Sequence, residues 1–468
     1  MSIVIEGNKG VASSNTSSQP GHRFISGFAW TTAIFIALCY WNIDHSWSAS
    51  SNAYLITESY TGDENETVDR MSQVNANSTI FRLVLASWGC LCFVLSPQTR
   101  VRVSSPLFWS IVALAIFLSA SLFWSSNPSQ TLFKLVVLLT MAIAAVGVSC
   151  KLSLREFLSV VTLVCVFYIA VGVVAEIWHG YFYPTASYRF IGTTHPNTEA
   201  IYASMLCLIA RLYVTKDGDK NFFGVALFAL GVLVVWYTRS RTTLAGLLIS
   251  LLIIQVLVVR GSNRLLLILG GMFLAILLVV GSSMISQKSS GALGQFALMG
   301  RHDDVSSLSG RLPLWEELLV SINRSPVIGF GYMAYWDAKR VDDLSARFHW
   351  VIPHGHNMYL DTLLDGGAIG LILVIAAILS AFSESAFLFL KSRKIEYAIV
   401  FGIFAYAVIN GFAESLFKLP SFPLFVVATC CFSMIARGSE SEEANTAMQL
   451  HSQKSVRLSR LKGRQLGR

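Results

Sequence analysis

Apolar runs of about 17 to 25 residues, the length a helix needs to cross a hydrocarbon core, recur along almost the whole chain. They fall near residues 24–43, 79–95, 106–124, 129–149, 154–177, 197–214, 222–238, 242–259, 265–284, 358–382, 396–413 and 420–436. The runs are continuous rather than alternating, which predicts helices and excludes a β-barrel. The expected fold class is an all-α polytopic membrane protein with about 12 transmembrane helices. Residues 358–390 outrun one bilayer thickness, so that boundary is the softest.

Between the runs the pattern divides the chain. A Gly/Ser/Asn-rich segment, 1–23, reads as disordered, and the run after it is expected to act as an uncleaved signal anchor. Spans one to nine occupy 24–284, a large polar loop 285–357, spans ten to twelve 358–436, and a basic tail 437–468. Inside the loop, 312–323 predicts a short amphipathic helix with Leu312, Trp315, Leu318, Leu319 and Ile322 on one face. Pro313 suits its first turn, and Trp315 is expected at headgroup depth with the helix along the membrane interface.

Composition agrees: 54% of residues are apolar and 13% charged, against roughly 25% charged in soluble domains. The net charge of +8 is spread over short loops and the tail, so it bears on topology and implies no nucleic-acid partner. With a cytoplasmic N-terminus, the inner loops hold Arg100 and Arg102, Lys151 and Arg155, Lys216 and Lys220, Arg260 and Arg264, then Lys391, Arg393 and Lys394. The first outer loop, 44–78, has six acidic residues and one basic residue, and the tail has seven basic against three acidic. Both termini are therefore expected inside. The eight cysteines lie in or beside apolar runs, which predicts packing residues and supports neither disulfides nor a zinc site.

This topology puts seven of the nine histidines outside. Among them, Pro353-His354-Gly355-His356-Asn357 leads directly from the large loop into an apolar run. A histidine at a helix start has its charged form disfavoured by the dipole, so a neutral imidazole suits a base or hydrogen-bonding role. The pair also invites a metal, but no third ligand with suitable spacing stands out. Asp361 and Asp365 follow four residues apart and read either as sugar-binding groups or as residues close to water. Gly366 and Gly370 have the spacing of a helix-packing face. Two further outer features carry arginine: Arg239-Ser240-Arg241 at a span mouth, and Ser309-Gly310-Arg311 before the amphipathic helix. Each reads as an interfacial or capping feature, or as a phosphate site in forked geometry. Gly192-Thr193-Thr194-His195-Pro196-Asn197 reads as a helix cap or as a polar lining to the same cavity.

The order of these pieces resembles a family. Ser240-Arg241 opens a span; Gly310-Arg311-Leu312-Pro313-Leu314-Trp315 precedes Pro326-Val327-Ile328-Gly329-Phe330-Gly331; His356-Asn357-Met358-Tyr359-Leu360 leads into Asp365-Gly366-Gly367-Ala368-Ile369-Gly370. Together they look like the O-antigen ligase and polysaccharide polymerase superfamily of bacterial inner-membrane proteins. The resemblance implies a GT-C-like glycosyltransferase with its site facing the periplasm. It implies an undecaprenyl-diphosphate-linked glycan as donor and a sugar acceptor, either a lipid-linked repeat unit or the lipid A core. No metal, nucleotide or other cofactor is implied. His356 matches the essential histidine and Arg241 and Arg311 the diphosphate-contacting arginines; Arg239 leaves the choice between itself and Arg241 open. His354, Asn357, Asp361, Asp365 and His195 are expected to support the site or bind sugar. Membrane lipids are expected partners, with room for a chain-length regulator.

Polymerisation of exopolysaccharide or O-antigen units is the preferred expectation. Ligation of polymer to lipid A core is the nearest alternative, and a polysaccharide transporter or flippase the alternative of another class. Against transport, the halves show no internal repeat and the charges of interest sit at the outer edge.

Overall fold

The computed structural model describes residues 26–48, 64–96, 101–183, 188–214, 221–259, 311–348, 350–415 and 418–436. The 1–23 segment, the 265–284 run, Ser309-Gly310 and the basic tail lie outside them. The described residues are helical and contain no strand. In chain order they form α1 (Gly27–Asp44), α2 (Glu64–Val94), α3 (Pro106–Ala120), α4 (Pro128–Lys151), α5 (Leu154–Trp178), α6 (Pro196–Ala210), α7 (Asn221–Thr238) and α8 (Arg241–Val258). Then come α9 (Arg311–Ile322), α10 (Ala338–Phe348), α11 (Met358–Ser392), α12 (Ile395–Asn410) and α13 (Phe422–Ala436). Five described helices are long and apolar enough to cross a membrane. This is an all-helical membrane protein.

The helix starts are written locally. Asn127 accepts from the Gln130 amide ahead of Pro128, and Ser153 and Glu156 form a reciprocal capping box at α5. Packing then follows membrane logic, in which small residues let backbones approach. A Cβ on Gly147 would collide with the Gly89 carbonyl, so α2 and α4 cross backbone to backbone. Helix α6 is buried on nearly every side, as expected for an element apolar all round.

Loops predicted on the outer side meet at one end of the bundle. The Ser46 amide donates to the Thr193 carbonyl (2.8 Å), Phe190 to Tyr237 (2.9 Å), Ser126 to Phe330 (2.8 Å) and Met358 to Gly411 (2.8 Å). At the opposite end Arg102 pairs with Glu384 (2.7 Å) and Arg155 with Glu396 (3.4 Å).

Two elements differ from expectation. Helix α9 forms, but its buried face is Leu314, Leu318, Ser321 and Ile322, while Leu312 and Leu319 are exposed. It packs with α10, Ile352 and Leu364 into a small core of its own. Trp315 is half-buried and donates its indole N–H to the Gly355 carbonyl (2.9 Å), so it holds the histidine loop.

The second is α11. Its 35 residues would span roughly 50 Å at 1.5 Å per residue, well beyond a 30 Å hydrocarbon core. The helix is broken at Gly367 (φ 58°, ψ −156°), a conformation open only to glycine. The freed groups are taken up by the Pro326–Gly331 segment. Phe330 and Gly331 donate to the Leu364 and Asp365 carbonyls (2.7 and 2.9 Å), and Ala368 and Ile369 donate to Pro326 and Val327 (2.8 and 3.1 Å). Irregular backbone at membrane depth persists only where protein satisfies it. Gly366 and Gly370 face Phe117 of α3, a packing contact.

Candidate active site

Asn357 caps α11 by accepting from the Tyr359 and Leu360 amides (3.0 and 3.1 Å) and donates to the Phe412 carbonyl (3.2 Å). That places His356 just outside the helix, with a left-handed backbone (φ 48°) that a non-glycine residue adopts only under constraint. Part of the constraint is His354, whose Nδ1 accepts from the His356 amide (3.2 Å) and whose ring lies 4.2 Å from the His356 ring. Burial, reinforced by His356 nearby, pushes the His354 pKa down to about 3. His354 is therefore a neutral hydrogen-bond acceptor that shapes the turn.

Glu414, in the loop between α12 and α13, joins the pieces. Its Oε1 accepts from Arg311 Nη2 (2.9 Å) and from the Asn197 side-chain amide, and its Oε2 lies 3.4 Å from His356 Nδ1. Burial alone would raise the Glu414 pKa, but His356 and Arg311 outweigh it and hold the carboxyl at about 2. The histidine contact is at ion-pair distance, too long for a formed hydrogen bond. A carboxylate on the Nδ1 side favours the proton there and leaves the Nε2 lone pair available. His356 Nε2 is buried without a hydrogen-bond partner among the described residues.

Arg311 opens α9 and also donates Nη1 to the Ala413 carbonyl (2.6 Å). A guanidinium has five N–H donors, so these two contacts leave several for an incoming anion. His195 caps α6: its Nδ1 accepts from the Asn197 amide (3.3 Å), and burial lowers its pKa to about 4, partly opposed by Glu414. Arg189 reaches Asn197 Oδ1 (3.5 Å) and the Thr238 carbonyl (3.0 Å), tying that loop to the end of α7. Arg239 (φ 54°) and Arg241, both half-buried, flank Ser240 at the start of α8. That start is held to the same end of the bundle by the Asn410–Thr243 bond (3.2 Å).

Asp361 and Asp365 are both buried and serve the scaffold. Asp361 accepts from the Trp336 indole (2.9 Å), the Gly355 amide (3.0 Å) and the Ser415 hydroxyl. Lys418 Nζ pairs with Asp365 Oδ2 (2.8 Å) and donates to the Asp361 backbone carbonyl (3.0 Å), so the two acids on one helical face have separate partners. Glu414, Lys418 and Arg189 are not foreseen from the sequence pattern. The one available signal is two charges, Glu414 and Lys418, in a short and otherwise apolar loop.

The cluster thus brings an imidazole, an ionised carboxylate beside it and a guanidinium into one place. Comparison with known proteins gives this a context. Residues 226–375 match a family model described as O-antigen ligase. The exopolysaccharide production protein ExoQ of Rhizobium meliloti (strain 1021) is 25% identical over 351 residues, 71% of this chain and 78% of that protein. Both matches support the O-antigen ligase and polysaccharide polymerase superfamily. The ligase-like region contains Arg239, Arg241, Arg311, His354 and His356, whereas Glu414 and His195 lie outside it.

Proposed function

We propose that this chain transfers a glycan from undecaprenyl diphosphate to an acceptor sugar hydroxyl on the periplasmic face of the bacterial inner membrane, polymerising exopolysaccharide or O-antigen repeat units. The observation that carries this is the His356–Glu414–Arg311 cluster, with a buried and unpartnered His356 Nε2. In the reading, the chain has twelve spans in a GT-C-like arrangement, cytoplasmic termini and its 285–357 loop in the periplasm. The acceptor oxygen attacks the anomeric carbon with inversion while the bond to the diphosphate breaks. The lipid diphosphate leaves with the electron pair, and Arg311 and Arg241 or Arg239 meet its growing charge. The acceptor proton passes to His356 Nε2, and Glu414 stabilises the imidazolium through Nδ1. Guanidinium groups do the electrostatic work, so the transfer is metal-independent. His195 and Asn357 support the acceptor side, and a chain-length regulator acts as an added partner.

The test uses purified full-length protein and lipid-linked donor. His356→Ala lowers transfer by about two to four orders of magnitude, the usual contribution of a positioned base. Near-normal transfer at equal protein level would overturn the assignment. Because the matching family model is described as O-antigen ligase, joining finished polymer to lipid A core is the second reading. In a deletion strain, single repeats without polymer mark a polymerase, and accumulated lipid-linked polymer marks a ligase.

A further inference from the structure

Asp361 lies one turn into α11 and is 1% exposed. An acid withdrawn from water costs folding free energy unless hydrogen bonds replace the lost solvent. Three donors do so, and they come from three different places. Oδ1 accepts from the Trp336 indole (2.9 Å) and the Gly355 amide (3.0 Å), while Oδ2 accepts from the Ser415 hydroxyl. Trp336 belongs to the small core around α9 and α10. Gly355 precedes His356, and Ser415 follows Glu414. One carboxyl group thus grips the chain next to both members of the His356–Glu414 pair.

Each grip acts on a segment already short of freedom. The Gly355 peptide is fixed on both sides, its N–H by Asp361 and its carbonyl by the Trp315 indole (2.9 Å). A Cβ at residue 355 would stand 2.9 Å from Asp361 Oδ1 and 2.8 Å from Leu318 Cδ1, so the close approach requires glycine. That gives the glycine between the two histidines a reason. Across the site Glu414 is bracketed: Arg311 holds the Ala413 carbonyl before it (2.6 Å), and Asp361 holds Ser415 after it. The Met358–Gly411 and Asn357–Phe412 bonds (2.8 and 3.2 Å) also join the two segments, but they end at Phe412.

We infer that Asp361 is a positioning residue for transfer, holding His356 and Glu414 in register through the Gly355 amide and the Ser415 hydroxyl. It acts through these two residues and not on substrate, and what it fixes is the 3.4 Å approach of His356 Nδ1 to Glu414 Oε2. Such support matters because a misplacement of about 1 Å costs on the order of a hundredfold in rate. The inference rests on the proposed transfer reading and deepens it.

The experiment is a double-mutant cycle in purified full-length protein, with undecaprenyl-diphosphate-linked repeat units from the producing strain as substrate. Ser415→Ala cuts the grip beside Glu414 and leaves the Trp336 and Gly355 bonds in place. Its kcat per folded molecule falls about ten- to a hundredfold with KM unchanged, as for a contact that acts only in the transition state. In a Glu414→Gln background the same substitution costs no more than about twofold, since no carboxylate is left to position. Asp361→Asn keeps an acceptor for Trp336 and Gly355 but turns an amide NH2 toward Ser415. It gives the same pattern and replaces Ser415→Ala if that variant folds poorly. Losses that multiply with Glu414→Gln overturn the inference. So does a wild-type kcat in Ser415→Ala or Glu414→Gln, or a raised KM at unchanged kcat. His356→Ala separates the inference from the transfer reading. Near-normal transfer by His356→Ala overturns the reading and the inference with it. Lost transfer in His356→Ala beside multiplying losses in the cycle overturns the inference alone.

Discussion

Two buried Arg–Glu pairs sit at opposite ends of the bundle and are nearly alike: 2.7 Å for Arg102–Glu384 and 2.9 Å for Arg311–Glu414, with equally buried glutamates. Their neighbours differ. Glu384 also accepts from the Ser105 hydroxyl (2.9 Å), which ties the loop before α3 to α11. Glu414 instead joins the start of α9, the start of α6 and the histidine loop, and faces an imidazole whose other nitrogen has no described partner. A buried ion pair by itself is a weak sign of function or stability. What separates the two is whether the carboxylate serves a group that remains available to substrate.

The largest expected effect comes from replacing both partners of each pair with methionine. Removing a whole buried pair is often near neutral for stability, because no uncompensated charge remains. Arg102→Met/Glu384→Met is therefore expected to keep the fold and most of the transfer. Arg311→Met/Glu414→Met keeps the fold but loses about a hundredfold or more in transfer per folded molecule. Equal losses in the two double variants would erase the distinction.

A single replacement at the opposite end has the complementary signature. Glu384→Ala strands the Arg102 guanidinium and costs about 3–5 kcal/mol of stability. Thermal unfolding in detergent should show a lower midpoint, with transfer per folded molecule unchanged. The break in α11 sharpens the comparison further, since Glu384 lies beyond it and His356 before it. A Cβ at Gly367 would collide with the Val327 carbonyl in a left-handed backbone, whereas one at Gly370 meets the Phe117 ring at 3.3 Å. Gly367→Ala is expected to cost more than the roughly 1–3 kcal/mol of backbone strain alone, and Gly370→Ala far less. Folded yields from membranes would rank the two.

The sequence made one part of this comparison readable and hid the other. Apolar run length placed α1, α3, α4, α5, α7 and α8 to within a few residues, because crossing a bilayer leaves little freedom in length. His356-Asn357 and His195-Pro196 were legible because capping is local chemistry. Glu414 was not, since its meaning arises only when α9, α6 and the 354–357 loop converge on it. The buried face of α9 was ambiguous for another reason: leucines at 312, 314, 318 and 319 allow more than one stripe over so short a helix. The break at Gly367 was masked because Gly366 and Gly370 also satisfy a packing spacing, and nothing local says which glycine leaves the helix.

The smallest expected effect is also the most direct probe of the site's electrostatics. Glu414 is held at about 2 against an ordinary value of 4.5, because His356 and Arg311 overcome the cost of its burial. A depressed carboxyl pKa stabilises the folded state fully above the unfolded value, and that stabilisation is lost as pH falls through the folded value. Wild type should therefore exceed Glu414→Gln in thermal midpoint at pH above about 4.5, with the gap closing toward pH 2. His354, lowered to about 3 from an ordinary 6.5, also loses stability as pH falls, but over a window that begins higher. His354→Asn in both backgrounds removes that contribution and isolates the effect of Glu414. A gap between wild type and Glu414→Gln that stayed constant from pH 5 to pH 2 would mean that His356 and Arg311 do not hold this carboxylate ionised. The histidine would then lack the charged partner on which its proposed role depends.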